Sequence, residues 1–326
     1  MVRRYLRRRS GEETVEYPSE SVREVLQRTL GVPIFQEQVM QLAIVAAGFT
    51  PGEADRLRRA MAAWKRRGGL GPFEERLVRG MRERGYSEDF ARQIFQQILG
   101  FGEYGFPESH SASFALLVYV SCWLKCHEPA AFTCALLNSQ PMGFYSASQL
   151  VQDLRRHGGE VRPVDVNASD WDSSLEAAAD GSPALRLGLR QIKGLSEEAA
   201  GRIVAVRPAH GYSSIQRLVE GTGLNRHELG ALARAGALQR LAGHRHKVSW
   251  TVAGVEQPTP LIDTMDRFEA IPMLKRPTEG QDIVADYRSL GLTLGRHPVA
   301  LLRRRLDACR YVAAGKLGEL TSGRPI

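Results

Sequence analysis

Residues 192–206, IKGLSEEAAGRIVAV, predict a helix-hairpin-helix, in which two helices meet at a tight turn. The turn falls on Gly194, Leu195 and Ser196, with Ser196 at the position where a second glycine is usual. Gly194 lets the backbone turn tightly because it has no Cβ. The helix that follows offers free amide groups and the positive end of its dipole to a phosphate. A hairpin of this kind would hold a nucleic-acid backbone without reading bases.

Two further observations bear on this hairpin. Residues 224–238, LNRHELGALARAGAL, form a candidate second and degenerate copy of it. The alternative for both segments is a helix–turn–helix that serves only packing, because short motifs also match by chance. The net charge of +8 over 326 residues favours an acidic partner, nucleic acid first. A basic surface without any partner is the other interpretation of this charge.

The N-terminal part of the chain predicts a run of helices. TPGE at residues 50–53 is a capping box with Pro51 at the first helical position. In the helix that it opens, Leu57, Met61 and Trp64 recur at helical spacing, and they predict the side that faces a core.

Arg58 and Arg59 lie in the same predicted helix, shortly before a basic run at residues 65–67. A basic helix face is most often only a solvated surface. The sharper interpretation is a phosphate clamp, because the planar guanidinium group of arginine can donate two parallel hydrogen bonds to one phosphate.

Residues 101–132, FGEYGFPESHSASFALLVYVSCWLKCHEPAAF, join a glycine-rich loop to an apolar run. His110, beside Ser109, could donate to a phosphate from near a helix start; the alternative, which the spacing favours, is a bystander histidine beside a capping serine. The apolar residues 112–124 are too few to span a bilayer, which needs about 20 residues. We therefore expect this run to form a helix that is buried on all sides.

The second half of the chain mixes short elements. Residues 184–192, ALRLGLRQI, alternate in polarity and predict a short strand. Helices are expected to start from Ser196, Ser213 and Asn225. Residues 243–280 lose this periodicity and predict a linker.

The four cysteines are too few and too clustered for a disulfide framework, and a reducing cytoplasm is the compartment that fits them best. Cys122 and Cys126, four residues apart, share a helix face next to His127 and could suggest a metal, but no second ligand pair with zinc spacing accompanies them. The basic N-terminal residues are not followed by an apolar stretch, so we expect no signal peptide. The prediction is a cytoplasmic protein with no membrane partner.

A two-metal nuclease or polymerase site needs paired carboxylates. The close pair Asp170 and Asp172 lies in an Asn- and Ser-rich segment that is more typical of a turn. Asp263 and Asp266 fall in the predicted linker. We therefore assign no catalytic residue and no metal ligand to this chain.

Three long segments carry a resemblance to a known family. They are GVPIFQEQVMQLAIVAAGFTPGEADRLRRAM at 31–61, GFGEYGFPESHSASFALLVYVSCWLKCH at 100–127 and PAAFTCALLNSQPMGFYSASQLVQDLRRHGGEVRPVDVNASDWD at 129–172. Together they resemble the bacterial C-family DNA polymerases, of the polymerase III alpha subunit type, and more narrowly the error-prone, translesion branch. The resemblance extends from residue 1 to about residue 310.

The resemblance implies a mainly α fold with a fixed order of domains. A helical fingers domain is expected at residues 1–140, and a helix-hairpin-helix DNA-binding domain at 141–242. A linker at 243–280 follows. Residues 281–326 would then form a helix and the truncated start of an OB-fold region.

The resemblance also implies which residues meet the ligands. Nucleotide contacts would fall on Arg58, Arg59, Ser109 and His110, and duplex contacts on Lys193, Gly194, Leu195 and Ser196. Consecutive helical residues point about 100° apart. We therefore expect one arginine, Arg59, to contact the triphosphate directly. The other would brace it or pair with an acidic neighbour such as Glu53 or Asp55.

A DNA primer-template and a deoxynucleoside triphosphate are the ligands that the resemblance implies, with a separate palm-bearing chain and translesion accessory proteins as further partners. The catalytic aspartates of the family lie in a palm that would precede Met1. Mg²⁺ is therefore expected for the complete polymerase, and none bound by this chain. Glu128 stands where the family more often has an aromatic residue.

The resulting prediction is the nucleotide- and DNA-binding portion of an error-prone DNA polymerase that is inactive alone. A stand-alone DNA-binding module without chemistry and a decayed gene fragment are the alternatives.

Overall fold

The computed structural model describes residues 2–67, 71–101, 107–141, 143–255 and 272–319. Within these ranges the chain is mainly α-helical, which confirms the predicted fold class, and it contains one three-stranded sheet. Two compact units, Met1–Val120 and Ser121–Ile326, each have a hydrophobic core of their own.

The first unit consists of helices around one core. They are α1 (Val2–Arg9), α2 (Glu20–Leu26), α3 (Gln36–Ala47), α4 (Pro51–Arg67), α5 (Gly71–Glu83), α6 (Glu88–Phe101) and the first part of α7 (Glu108–His127). The largest buried side chains of the core lie on α3 to α6: Leu42, Leu57, Leu77, Met81, Phe95 and Ile98. Burial of this apolar surface holds the four helices together.

The start of α4 forms as the sequence predicts. The backbone N–H and the hydroxyl of Thr50 donate to Oε2 of Glu53 at 2.7 and 3.0 Å, and the backbone N–H of Glu53 donates to Oγ1 of Thr50 at 3.3 Å. Leu57 and Met61 are buried, which confirms them as core-facing residues. The side chain of Trp64, the third member of the predicted face, lies outside the described residues.

The helix α7 corrects one expectation from the sequence. The apolar run does form a helix, but none of its residues is buried, whereas burial on all sides was predicted. The apolar residues predict a helix that would be buried, but burial depends on contacts with other elements. The elements that the structure describes leave the middle of α7 exposed. Neither α7 nor any other helix of the described ranges is long and apolar enough to cross a membrane.

The second unit surrounds a small sheet with short helices. Its elements after α7 are α8 (Pro129–Asn138), α9 (Ala147–Arg156), β1 (Val161–Arg162), β2 (Ser174–Ala177), β3 (Pro183–Arg186), α10 (Glu197–Ala205), α11 (Ile215–Thr222), α12 (Arg226–Ala235), α13 (Gln239–Ala242), α14 (Arg245–Ala253), α15 (Glu279–Ser289) and α16 (Pro298–Ala308). The strand β3 is central: it pairs in parallel with β1 and antiparallel with β2. The strand predicted at 184–192 is β3, but it ends at Arg186, and Leu189–Gln191 form a 3₁₀ turn.

In the second unit, the capping side chains determine where the helices begin. Ser196 and Asn225 cap α10 and α12, as predicted. The helix expected from Ser213 begins one residue later, because the hydroxyl of Ser214 accepts the hydrogen bond from the backbone N–H of Arg217 at 3.1 Å.

The segment expected as a linker, residues 243–280, is partly structured. It contains α14, whose Val248 belongs to the core of the second unit, so the sequence missed a helix here. Residues 256–271, which include Asp263 and Asp266, lie outside the described residues.

After this segment the described chain is again helical. The hydroxyl of Ser289, in α15, donates to the carbonyl oxygen of Arg234 in α12 at 3.2 Å, so α15 packs on the hairpin domain. α16 and a 3₁₀ turn at Ala314–Glu319 follow. Residues 320–326 lie outside the described residues. The start of an OB-fold stays a prediction, as do the bounds of the four domains.

The sheet carries an ionic network that yields a stability prediction. Glu176 on β2 accepts from Arg186 Nε and Nη2 at 2.7 and 3.0 Å and also from Arg162. These hydrogen bonds, that of Arg186 first, hold the pKa of the Glu176 carboxyl below its ordinary value. Because the pKa is lowered on folding, the network stabilises the fold above the ordinary glutamate pKa. This contribution is lost as the pH falls through the lowered value.

Replacing Glu176 by Gln is expected to lower the local free energy of opening of β2 and β3 by about 1–3 kcal/mol, because it leaves the nearly buried Arg186 without its charged acceptor. Amide hydrogen exchange of the two strands at neutral pH measures this value. Glu198→Gln is the matched control, since Glu198 also pairs with an arginine but is 85% exposed. An equal effect of the two substitutions would contradict the assignment.

Candidate nucleotide and nucleic-acid interface

Two arginines of α4 converge on one carboxylate. Arg58 donates from Nε and Nη2 to Oδ1 of Asp55 at 3.0 and 2.8 Å. Arg59 donates from Nε to Oδ2 of the same residue at 2.8 Å, and its Nη2 contacts the same oxygen. Asp55 lies three and four residues before them, so all three side chains lie on neighbouring positions of the helix surface. Each guanidinium group therefore takes one oxygen of the carboxylate.

This arrangement differs from the roles that the sequence predicts for the two arginines. The sequence suggested that one arginine meets the ligand while the other pairs with Glu53 or Asp55, because their Cα–Cβ directions diverge. Both arginines in fact pair with Asp55, since the long side chains bend back over the same turn. Glu53 instead closes the cap with Thr50 and lies 3.6 Å from Arg76.

The two arginines differ in exposure, and their partner is ionised at neutral pH. The side chain of Arg59 is 70% exposed and that of Arg58 is 40% exposed. Hydrogen bonds from Arg59, and then from Arg58, hold the pKa of the Asp55 carboxyl below its ordinary value. The guanidinium groups of Arg58 and Arg59 thus lie near the surface, both oriented by the carboxylate of Asp55.

Ser109 and His110 lie in the first turn of α7, and both are exposed. The carbonyl oxygen of Ser109 accepts from the Ser113 hydroxyl at 3.0 Å, and the ring of His110 packs on Phe114 with 4.4 Å between ring centroids. Residues 102–106 of the preceding loop lie outside the described residues. A nucleotide pocket shared with the arginines of α4 stays a prediction.

The predicted hairpin forms at the start of α10. Gly194 has a φ of +85°, a conformation that residues with a Cβ rarely adopt. Leu195 is buried, and the hydroxyl of Ser196 accepts from the backbone N–H of Ala199 at 3.2 Å. The element before the turn is the 3₁₀ turn at Leu189–Gln191 and not a full α-helix.

Lys193 is tied to α15. Its backbone N–H donates to the carbonyl oxygen of Ser289 at 2.8 Å, and its Nζ donates to that of Tyr287 at 3.3 Å. The ammonium group has three N–H donors, so the duplex contact that the sequence predicts for this lysine is compatible with the bond to Tyr287.

A second hairpin repeats the first. It joins α11 to α12 through Gly223, with a φ of +61°, the buried Leu224, and Asn225, whose side chain accepts from the backbone N–H of Glu228 at 3.0 Å. The order is the same in both turns: a left-handed glycine, a buried leucine and a capping residue. The degenerate copy that the sequence indicated therefore has the geometry of the first.

The two hairpins lie side by side. Arg202 of α10 donates to the carbonyl oxygen of Thr222 at 3.0 Å and to both carboxylate oxygens of Glu228 at 3.0 Å. A Cβ placed on Gly194 would lie 3.4 Å from Nε2 of His227. The sequence contains both turns but gave no signal of this contact, since it depends on how α10 packs against α12.

The two helix starts differ in charge. α10 begins with Glu197 and Glu198, whereas α12 begins with the exposed Arg226 and His227, and the one acidic residue of its first turn, Glu228, pairs with Arg202. Acidic side chains at a helix start compete with a phosphate for the free amide groups. The second hairpin, which the sequence ranked lower, is therefore the more favourable of the two for a phosphate.

The two carboxylates of DWD each form an ion pair with an arginine. Asp170 pairs with Arg207 at 3.2 Å, and Asp172 pairs with Arg190, so each carboxylate is neutralised by its own arginine. Among the residues that the structure describes, no three side chains of the metal-binding types lie together.

Two family models match the segments that carry these features. The model described as the bacterial DNA polymerase III alpha subunit finger domain matches residues 1–85, which include α4 and both arginines. The model described as a helix-hairpin-helix motif matches residues 158–248, which include both hairpins.

Several relatives that share one name match nearly the whole chain. The error-prone DNA polymerase of Alkalilimnicola ehrlichii is 62% identical over 324 residues, which are 99% of this chain and 32% of the relative. Those of Methylococcus capsulatus and Pseudomonas aeruginosa are 61% and 58% identical, over 99% and 100% of this chain and 33% and 32% of the relatives. The chain thus spans about a third of the length of the curated relatives that it matches. With these matches, the chain is similar over nearly its whole length to about a third of the length of the bacterial error-prone DNA polymerases, and it contains segments that match a polymerase III finger domain and a helix-hairpin-helix motif.

Proposed function

We propose that this chain is the nucleotide- and DNA-binding portion of an error-prone DNA polymerase, which extends a primer on a template in DNA repair and translesion synthesis. The observation that carries the proposal is the pairing of both Arg58 and Arg59 with one half-buried carboxylate, that of Asp55, within the segment that matches the finger domain. The paired hairpins of the second unit support the DNA-binding part.

In the nucleotide site, Arg58 and Arg59 bind phosphate oxygens in place of Asp55. A triphosphate offers more charge and more acceptor oxygens than a single carboxylate, and arginine forks suit its geometry. Because ion pairs near the surface are weak, a phosphate can take the place of Asp55. In the free protein, Asp55 keeps the two guanidinium groups oriented. Ser109 and His110, at the start of α7, line the same pocket.

In the duplex site, the two hairpins hold the DNA backbone. The turns at Gly194 and Gly223 bring the starts of α10 and α12 to the phosphates, and Arg226 adds positive charge there. Contacts of this kind position the duplex and carry no sequence information. The chain therefore binds any primer-template sequence with about the same affinity.

The complete polymerase would need more than this chain supplies. Magnesium ions, which stabilise the charge of the transferred phosphoryl group, would be held by carboxylates outside the described residues. A palm-bearing chain and translesion accessory proteins are the partners proposed for it.

A stand-alone DNA-binding module is the second candidate function. The specific observation that favours it is that both hairpins lie in a unit with its own core. Such a module would bind duplex DNA and leave nucleotides alone.

Titration calorimetry of the purified chain with a deoxynucleoside triphosphate, and separately with a short DNA duplex, tests the proposal. Binding of both ligands is the expected result. Binding of the duplex alone would favour the stand-alone module, and binding of neither would refute both candidates.

The isolated chain is expected not to extend a primer, because its described residues contain no group of carboxylates that could hold two metal ions. Primer extension with magnesium and all four nucleotides measures this. Template-dependent extension that Asp170→Asn abolishes would show that Asp170 is catalytic and that the assignment is wrong.

A further inference from the structure

α7 presents a continuous apolar surface that none of the described residues covers. The exposed fractions of its large apolar side chains run from 37% at Leu124 to 71% at Tyr119. They are Phe114, Leu116, Leu117, Val118, Tyr119, Val120, Trp123 and Leu124. No Asp, Glu, Lys or Arg lies between Glu108 and Lys125, so the stretch has no charged face.

The exposed surface runs around the whole helix. Residues 116–120 are five consecutive exposed apolar residues, and successive side chains point about 100° apart. They therefore cover every direction around the axis. An amphipathic helix that docks into a groove needs only one apolar stripe. A partner on one side of α7 would leave the other sides in water.

Polar contacts fix both ends of α7 to neighbouring elements. Arg28 pairs with Glu108 at 2.8 Å, and the backbone N–H of Glu108 donates to Oε2 of Glu37 at 2.9 Å. Lys125 pairs with Asp153 at 2.9 Å near the other end. Between these two ends, the apolar middle stays exposed among the residues that the structure describes.

We propose that the middle of α7 is a core helix of the complete polymerase, enclosed on all sides by the part of the polymerase chain that lies outside this one. The chain spans about a third of its curated relatives, so two thirds of a polymerase are available to surround it. The occupant must offer an apolar channel that closes around the helix, since a flat surface cannot cover all its sides. This inference rests on the family and not on the proposed ligand contacts.

Cysteine labelling tests the inference without any substitution. Cys122 and Cys126 lie on α7 and are exposed, whereas the thiol of Cys134 on α8 already donates to the carbonyl oxygen of Ser173 at 3.1 Å. The isolated chain is compared with a chimera in which it replaces the matching third of the Alkalilimnicola ehrlichii polymerase. Reaction with N-ethylmaleimide is followed at each cysteine by mass spectrometry.

We expect Cys122 and Cys126 to react at least tenfold more slowly in the chimera than in the isolated chain, and Cys134 to react equally in both. Equal rates at Cys122 and Cys126 would overturn the inference. Protection that appears in the isolated chain as its concentration rises would show that a second copy is the occupant, which also overturns it.

A charge placed on α7 gives an independent measurement. Leu117→Glu is expected to lower the thermal midpoint of the chimera by at least several degrees and to leave that of the isolated chain unchanged. Leu175→Glu is the matched control, since Leu175 is an exposed leucine on β2. A chimera that tolerates Leu117→Glu as well as it tolerates Leu175→Glu would contradict enclosure.

Discussion

Replacing Arg59 by alanine in the chimera is expected to raise the apparent Michaelis constant for the incoming nucleotide about 10- to 100-fold, since a hydrogen bond to a charged group contributes about 1.5–3 kcal/mol. The dissociation constant for primer-template should stay within about twofold. Arg59 is the more exposed of the two arginines, and only Asp55 has to leave for a phosphate to enter. Steady-state primer extension at varied nucleotide concentration gives the first value, and fluorescence anisotropy of labelled DNA gives the second.

Arg92→Ala is the matched control for this prediction. Arg92 is 64% exposed and pairs with Glu88 four residues before it, just as Arg59 pairs with Asp55. Its loss should leave both constants unchanged. If Arg59→Ala instead weakens DNA binding and lowers the salt dependence by about one unit, the arginine contacts the duplex backbone and the nucleotide assignment is wrong.

The pair can also be tested as a unit. Both guanidinium groups converge on one carboxylate, so they would converge on one phosphate group. Arg58→Ala combined with Arg59→Ala should therefore cost less than the sum of the two single changes. Additive losses would show that the two arginines act on separate groups.

Replacing Gly194 by valine is expected to weaken binding of duplex DNA to the isolated chain about tenfold, whatever the sequence of the duplex. A φ of +85° strains a residue with a β-branched side chain, and the added atoms meet the ring of His227 in the second hairpin. The change therefore strains the first turn and places new atoms against a side chain of the second. Anisotropy titrations with several unrelated duplexes measure the effect.

Gly181→Val separates this effect from general strain. Gly181 has nearly the same φ, +82°, in the turn between β2 and β3, and a Cβ there meets no atom within 4 Å. The backbone cost is thus similar, and DNA binding should not change. A loss confined to one duplex sequence, or an equal loss from Gly181→Val, would contradict a backbone contact by the hairpin.

Local features of the fold follow from the sequence because they depend on neighbouring residues. The box at Thr50 and Glu53 and the caps at Ser196 and Asn225 each need only a side chain and an amide three residues later. Adjacent serines show the limit: Ser214 and not Ser213 caps α11, since the extended backbone that a cap requires falls at Ser214.

Features that depend on packing could not be read from the sequence. The apolar run of α7 predicts that something covers the helix but not which part of the polymerase does so. The approach of Gly194 to His227 brings together residues that are 33 positions apart, and no local pattern encodes it. The joint pairing of Arg58 and Arg59 with Asp55 depends on side-chain bending, whereas helix periodicity fixes only the directions of the Cβ atoms.

Template-directed primer extension by the chimera is the most direct test of the central claim, that this chain is the nucleotide- and DNA-binding portion of an error-prone polymerase. The chimera should extend a primer on its template, and the isolated chain should not. A folded chimera that binds primer-template but adds no nucleotide would contradict the claim and leave a DNA-binding role alone.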